Sequence, residues 1–174
     1  MEPWPGFEGA KILLGMYPVI GGIAYYTNKG ASFGARSSKE MVPLVYTTVG
    51  YLAVYGFYVL RQGVSRDVFK EYVKKSDGEA RKMAACWQKN ADRTVGNCHE
   101  QMGPFLVSMW MYGSFVNPMR AAVLGAVSIG ALILYPFLYG NEEDSPKKIL
   151  VASTLPRYWL NYYMMLSTVV ATLS

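Results

Sequence analysis

The sequence predicts an all-α membrane protein: a bundle of four transmembrane helices preceded by an N-terminal amphiphilic extension. Three observations lead there. Hydrophobic residues make up 52% of the 174 and charged residues only 17%, against about 25% charged in an ordinary soluble domain, and mean hydropathy is +0.12. Four stretches reach the roughly 20 mostly apolar residues that a helix needs to cross a hydrocarbon core about 30 Å thick. The 17 Lys and Arg, set against 12 Asp and Glu, are gathered in the connections between those stretches, which argues against a nucleic-acid-binding stripe. Two Cys and one His are too few for a disulfide scaffold or a closed four-ligand zinc site.

Residues 1–40 form the extension. Within it, 12–27 is uncharged but short and holds Gly15, Pro18, Gly21 and Gly22, so it reads as an interfacial or partly inserted segment. Lys11 before this apolar run raises the signal-peptide alternative. Tyr17, Pro18 and the Tyr25-Tyr26 pair interrupt the run, and no small-residue cleavage site follows, so the segment is expected to be retained. The glycine-serine patch 30–38 reads as a flexible link.

The first span is 41–60, with Pro43 expected in its first turn, where a missing N–H costs nothing. The connection 61–100 is long for a helical hairpin. Val68, Phe69, Tyr72 and Val73 are spaced there like one helix face among Lys and Glu, so the first two helices are expected to project beyond the bilayer. The uncharged runs 101–119 and 121–141 give the second and third spans, and 149–174, broken only by Arg157, gives the fourth. Full helices are expected near 41–61, 82–116, 119–140 and 148–172. The 61–100 and 141–148 connections carry eleven basic residues and the other side five. By the positive-inside rule the first face is the cytoplasm-equivalent one, with both chain ends opposite.

The segment Asp92-Arg93-Thr94-Val95-Gly96-Asn97-Cys98-His99-Glu100 runs straight into the second span. On a helix Arg93, Asn97 and Glu100 fall at i, i+4 and i+7, one face about two turns long. A guanidinium, an amide and a carboxylate at a membrane boundary are costly unless they pair or bind something. Either an Arg93–Glu100 pair ties helices together, with Asn97 as hydrogen-bonding glue, or the strip holds a ligand. Cys98 reads as a small buried hydrophobe, Cys86 stands too far along the chain to bridge to it, and His99 lacks partners for a metal. Arg157, beside Pro156, reads as a structural cation that snorkels to water or meets Glu100.

The pattern Arg93-x-x-x-Asn97-x-x-Glu100, followed by Pro104-Phe105-Leu106 and Trp110, resembles the signature of the MAPEG superfamily, membrane-associated proteins in eicosanoid and glutathione metabolism. Phe115-Val116-Asn117-Pro118 is similar to that family's turn before its third helix, and Tyr135-x-x-x-Tyr139 to its tyrosine pair. The resemblance covers about 41–174. It implies a four-helix transmembrane domain in a homotrimer with glutathione as cosubstrate, held by Arg93, Asn97 and Glu100, and with Tyr135 and Tyr139 lining the pocket from a neighbouring subunit. It also implies a catalytic cation that stabilises the glutathione thiolate seven or eight residues after the second tyrosine. Pro146 and Lys147 stand there, so Lys147 or Lys148 is the candidate.

The reading that follows is a glutathione transferase or peroxidase acting on lipophilic electrophiles that arrive from the bilayer. The alternative is a non-catalytic accessory subunit of a larger membrane complex, respiratory or photosynthetic. No arginine stands near 146, Gln101 follows the motif glutamate where the family has tyrosine, and Glu142-Glu143-Asp144 places negative charge in the same loop. Either way the partner is a lipid bilayer of an intracellular membrane (endoplasmic reticulum, mitochondrial or plastid), and no nucleic acid is involved.

Overall fold

The computed structural model describes residues 18–27, 37–75, 78–140 and 150–173. Five helices and no strands are present among them: α1 (18–27), α2 (Ser38–Lys75), α3 (Glu79–Phe115), α4 (Pro118–Tyr139) and α5 (Leu150–Leu173). The long four pack together, α3 and α4 each touching the other three, with α2 and α5 on the flanks. Helix α1 is tied on by the Thr27 hydroxyl, 2.9 Å from that of Tyr163.

Helix α2 starts three residues before the expected first span, and Pro43 lies inside it. The reason is a capping box. The Ser37 hydroxyl accepts from the Glu40 N–H at 3.4 Å, and the Glu40 carboxylate accepts from the Ser37 N–H at 2.8 Å, so two orphan donors at the helix start are satisfied reciprocally. With 38 residues the helix is about 57 Å long, roughly twice the thickness of a hydrocarbon core. The helix is thus longer than a single crossing needs, and its second half runs beside the start of α3 in the 61–100 connection. Gln62 and Arg66 both donate to Asp92 Oδ1, at 2.7 and 3.1 Å. Val68 and Phe69 are half-buried in this hairpin, whereas Tyr72 and Val73 remain exposed.

The α3–α4 turn follows the expected Asn117-Pro118. The Asn117 side chain accepts from the Arg120 N–H at 2.9 Å and Pro118 occupies the first helical turn, where its missing donor is not needed. The core between α2, α3 and α4 holds Leu44, Tyr51, Phe105, Met109 and Tyr112, all buried, with Tyr51 and Phe105 stacked at 4.7 Å. Close approach is bought by two glycines: a Cβ on Gly113 would stand 2.3 Å from Leu44 Cδ2, and one on Gly125 would stand 2.6 Å from Thr47 Cγ2.

Two helices, Ser38–Lys74 and Pro118–Tyr139, are long and apolar enough to cross a membrane by length and composition. Helices α3 and α5 fall short of that measure, which narrows the four-span expectation. Both carry polar side chains turned into the bundle, Asn90, Thr94, Gln101 and Ser108 on α3 and Ser153, Arg157, Asn161, Ser167 and Thr168 on α5, all buried. Helices in a bilayer associate through such groups, and each lowers the mean hydropathy of its helix without facing lipid.

Candidate functional site

The motif strip lies on one unbroken stretch of α3. Arg93 and Glu100 are exposed and Asn97 is half-buried. Among the described residues Arg93 and Glu100 form no ion pair with each other, so the helix-tying reading of that pair is not what the geometry shows. Seven residues of helical rise separate them by about 10 Å, and the strip presents a cation and an anion at its two ends.

Tyr135 and Tyr139, one turn apart on α4, stack with ring centroids 6.1 Å apart. Tyr135 is buried and lies within electrostatic reach of Arg93 and Glu100 of its own chain. The short Val116-Asn117 turn makes α3 and α4 neighbours within one chain, so Tyr135 stands near the strip of its own chain. The expected reach of the tyrosines into a neighbouring subunit's strip belongs to an assembly that a single chain does not contain. Lys147 and Lys148, with Pro146 and the acidic triplet, lie outside the described residues.

The residue that the sequence reading misplaced is Arg157. It neither snorkels nor meets Glu100: its side chain is 2% exposed. Its Nη2 donates to Asn97 Oδ1 at 2.5 Å, its Nε donates to the Ser153 carbonyl at 3.1 Å, and its guanidinium carbon sits 5.7 Å from the centre of the Tyr135 ring. Nη1 is buried with no hydrogen-bond partner among the described residues. Arg157 stands seven residues into α5, about two turns from its start, which puts it level with Asn97. The signal was available, since a lone arginine in an apolar run is a functional-site candidate by default; spacing alone could not tell which helix it faces.

Below this arginine, Tyr51 closes the site from α2. Its hydroxyl donates to the Cys98 carbonyl at 2.9 Å, and the Cys98 sulfur lies 3.5 Å from the same oxygen. Cys98 is wholly buried, the small core residue that was expected. Above it, Asn90 secures the end of α4 by donating to the Pro136 and Gly140 carbonyls at 2.9 and 2.6 Å, while its own oxygen accepts from Arg61 at 3.1 Å. The Gly140 turn after the tyrosine pair, with φ of 68°, is thereby fixed to α3. The arrangement sets a cation and an anion along α3, with a buried guanidinium between them and two tyrosines on the neighbouring helix.

No curated protein and no solved structure matches the chain. The model of the MAPEG family matches residues 42–170, which takes in the motif strip, the tyrosine pair and Arg157, and the chain therefore belongs to the MAPEG family of membrane proteins.

Proposed function

We propose that this protein is a four-span MAPEG-type protein that binds glutathione along Arg93, Asn97 and Glu100, with Arg157 as the cation of the site in place of Lys147 or Lys148. The observation that carries this is the Arg157 guanidinium, held against the motif asparagine with Nη1 unpartnered. A buried donor without an acceptor costs about 1–3 kcal/mol, and an anionic ligand atom would supply the acceptor. Arg93 suits a glutathione carboxylate in a two-pronged contact, and Glu100 suits the γ-glutamyl ammonium. A thiolate near Arg157 would be stabilised by its always-charged guanidinium and could attack a lipophilic electrophile arriving from the bilayer. Residues 1–40 are an interfacial extension in this reading, and 41–174 form the transmembrane domain of a homotrimer in an intracellular membrane.

Calorimetry and ultraviolet difference absorbance with glutathione test it. Arg93→Ala is expected to weaken binding at least tenfold. Arg157→Gln is expected to keep binding within a few-fold while removing the thiolate absorbance, and alanine at both Lys147 and Lys148 is expected to keep that absorbance. Absence of glutathione binding by the wild-type protein, or thiolate that survives Arg157→Gln and vanishes with the lysines, would overturn the assignment.

The α2–α3 hairpin favours a second reading. It rises beyond the bilayer and leaves Tyr72 and Met83 exposed, a surface suited to a partner subunit. Isolation of a single copy in a heteromeric assembly, in place of a homotrimer, would support the accessory role.

A further inference from the structure

The groove between α2 and α4 is separate from the motif strip. Residues two apart on a helix point about 200° from each other, so Tyr135 faces the strip while Ile133 and Phe137 line the groove. Ala53, Phe57 and Arg61 line it from α2, and Gly140 closes one end. Its volume is about 680 Å³, within the roughly 300–1,000 Å³ of small-molecule sites. Phe57 and Phe137 are 62% and 77% exposed at its rim, so it opens sideways, where lipid would lie. The Tyr58 hydroxyl, 3.3 Å from the Leu132 and Ile133 carbonyls, knits its floor and leaves the walls apolar.

Arg61 is the charged group of this groove. Its Nη2 is taken by Asn90, but Nη1 is buried with no partner among the described residues. From Arg61 to Ala53 the groove runs eight residues along α2, about 12 Å of rise. That is close to the ~15 Å of one leaflet, half of the roughly 30 Å hydrocarbon core. The cation stands at the end of the groove that adjoins the 61–100 hairpin, with its nine Lys and Arg, where a membrane surface of negative charge would be attracted.

We propose that this groove is a binding site for an anionic glycerophospholipid, one acyl chain lying between α2 and α4 and the phosphate on Arg61. A guanidinium takes phosphate oxygens in a fork, which satisfies Nη1, and the apolar walls take the chain over the depth of a single leaflet. A neutral lipid would fill the same walls and leave the donor unmet. The groove lies on the other side of α4 from the motif strip, and its apolar wall at Ala53 takes no part in the residues proposed to hold glutathione.

Photo-crosslinking tests it on the full-length protein in mild detergent, using phosphatidylglycerol with a diazirine on its acyl chain and mass spectrometry to map the adducts. Adducts are expected to concentrate on 53–61 and 133–140. Excess unlabelled phosphatidylglycerol should compete at least fivefold better than phosphatidylcholine, and inorganic phosphate should not compete. Arg61→Gln should cut labelling at least fivefold. Because Arg61 also holds Asn90, Ala53→Trp serves as a second variant: it fills the groove, keeps the arginine, and should block labelling while glutathione binding is unchanged. Labelling spread evenly over the outer faces of α2 and α4 and indifferent to Ala53→Trp would overturn the site. Equal competition by phosphatidylcholine would overturn the role of charge, and competition by oleate as strong as by phosphatidylglycerol would overturn the phospholipid as occupant in favour of a fatty-acid carboxylate.

Discussion

Asn97→Ala removes the side-chain acceptor of a guanidinium that cannot turn to water. Arg157 is 2% exposed and, among the described residues, would keep only the Ser153 carbonyl at 3.1 Å and the Tyr135 ring at 5.7 Å. Hydrogen bonds to charged groups contribute about 1.5–3 kcal/mol, while interhelical polar contacts in membranes average about 0.6 and reach about 1.7. Full burial and a charged donor put this one at the upper end of the membrane range, so the cost is expected to be about 1.5–2 kcal/mol. The pair is open to a sharper test. Arg157→Met removes the buried charge at similar length, and once the charge is gone the amide has little left to lose. Asn97→Ala on the Arg157→Met background is therefore expected to cost about 0.5 kcal/mol or less. The four proteins form a double-mutant cycle, measured as reversible unfolding in mixed micelles of mild detergent and dodecyl sulfate, followed by circular dichroism. An equal cost of Asn97→Ala in both backgrounds would show that the two side chains do not share the interaction, and the central contact of the site would be wrong.

Gly113→Ala is expected to destabilise by about 1–3 kcal/mol through overpacking, because its Cβ would meet Leu44 at 2.3 Å; Gly103→Ala, with nothing within 4 Å, should instead stabilise α3 by up to about 1 kcal/mol, and the same micelle titration separates them. Glu100→Gln should weaken glutathione about tenfold, equivalent to about 1.4 kcal/mol, with unfolding unchanged because the side chain is exposed; loss of stability would assign Glu100 to the fold. Asn90→Leu leaves the Pro136 and Gly140 carbonyls without their donor and should speed amide exchange through the last turn of α4, read by hydrogen exchange; unchanged exchange would mean that this turn holds without α3.

Helix content, the membrane class and the motif were legible in the residues themselves. Uncharged runs bounded by basic connections dictate helices that must bury apolar area in lipid, Asn117-Pro118 dictates a cap and a fixed first turn, and Arg93, Asn97 and Glu100 share a face by helical period alone. One local signal and one tertiary arrangement escaped. The start of α2 was placed at the edge of the hydrophobic run, although Ser37 and Glu40 carried the capping signal four residues before it, because apolarity marks the membrane and not the helix end. Arg157 was sent toward water, because its sequence neighbours say only that it is a charge in an apolar run. Which partner takes it is decided by how α5 is rotated against α3 and α4, and that rotation follows from packing among Ser153, Tyr135 and Asn97. The groove at Arg61 is likewise a product of spacing between α2 and α4, residues some eighty positions apart whose separation no local pattern encodes.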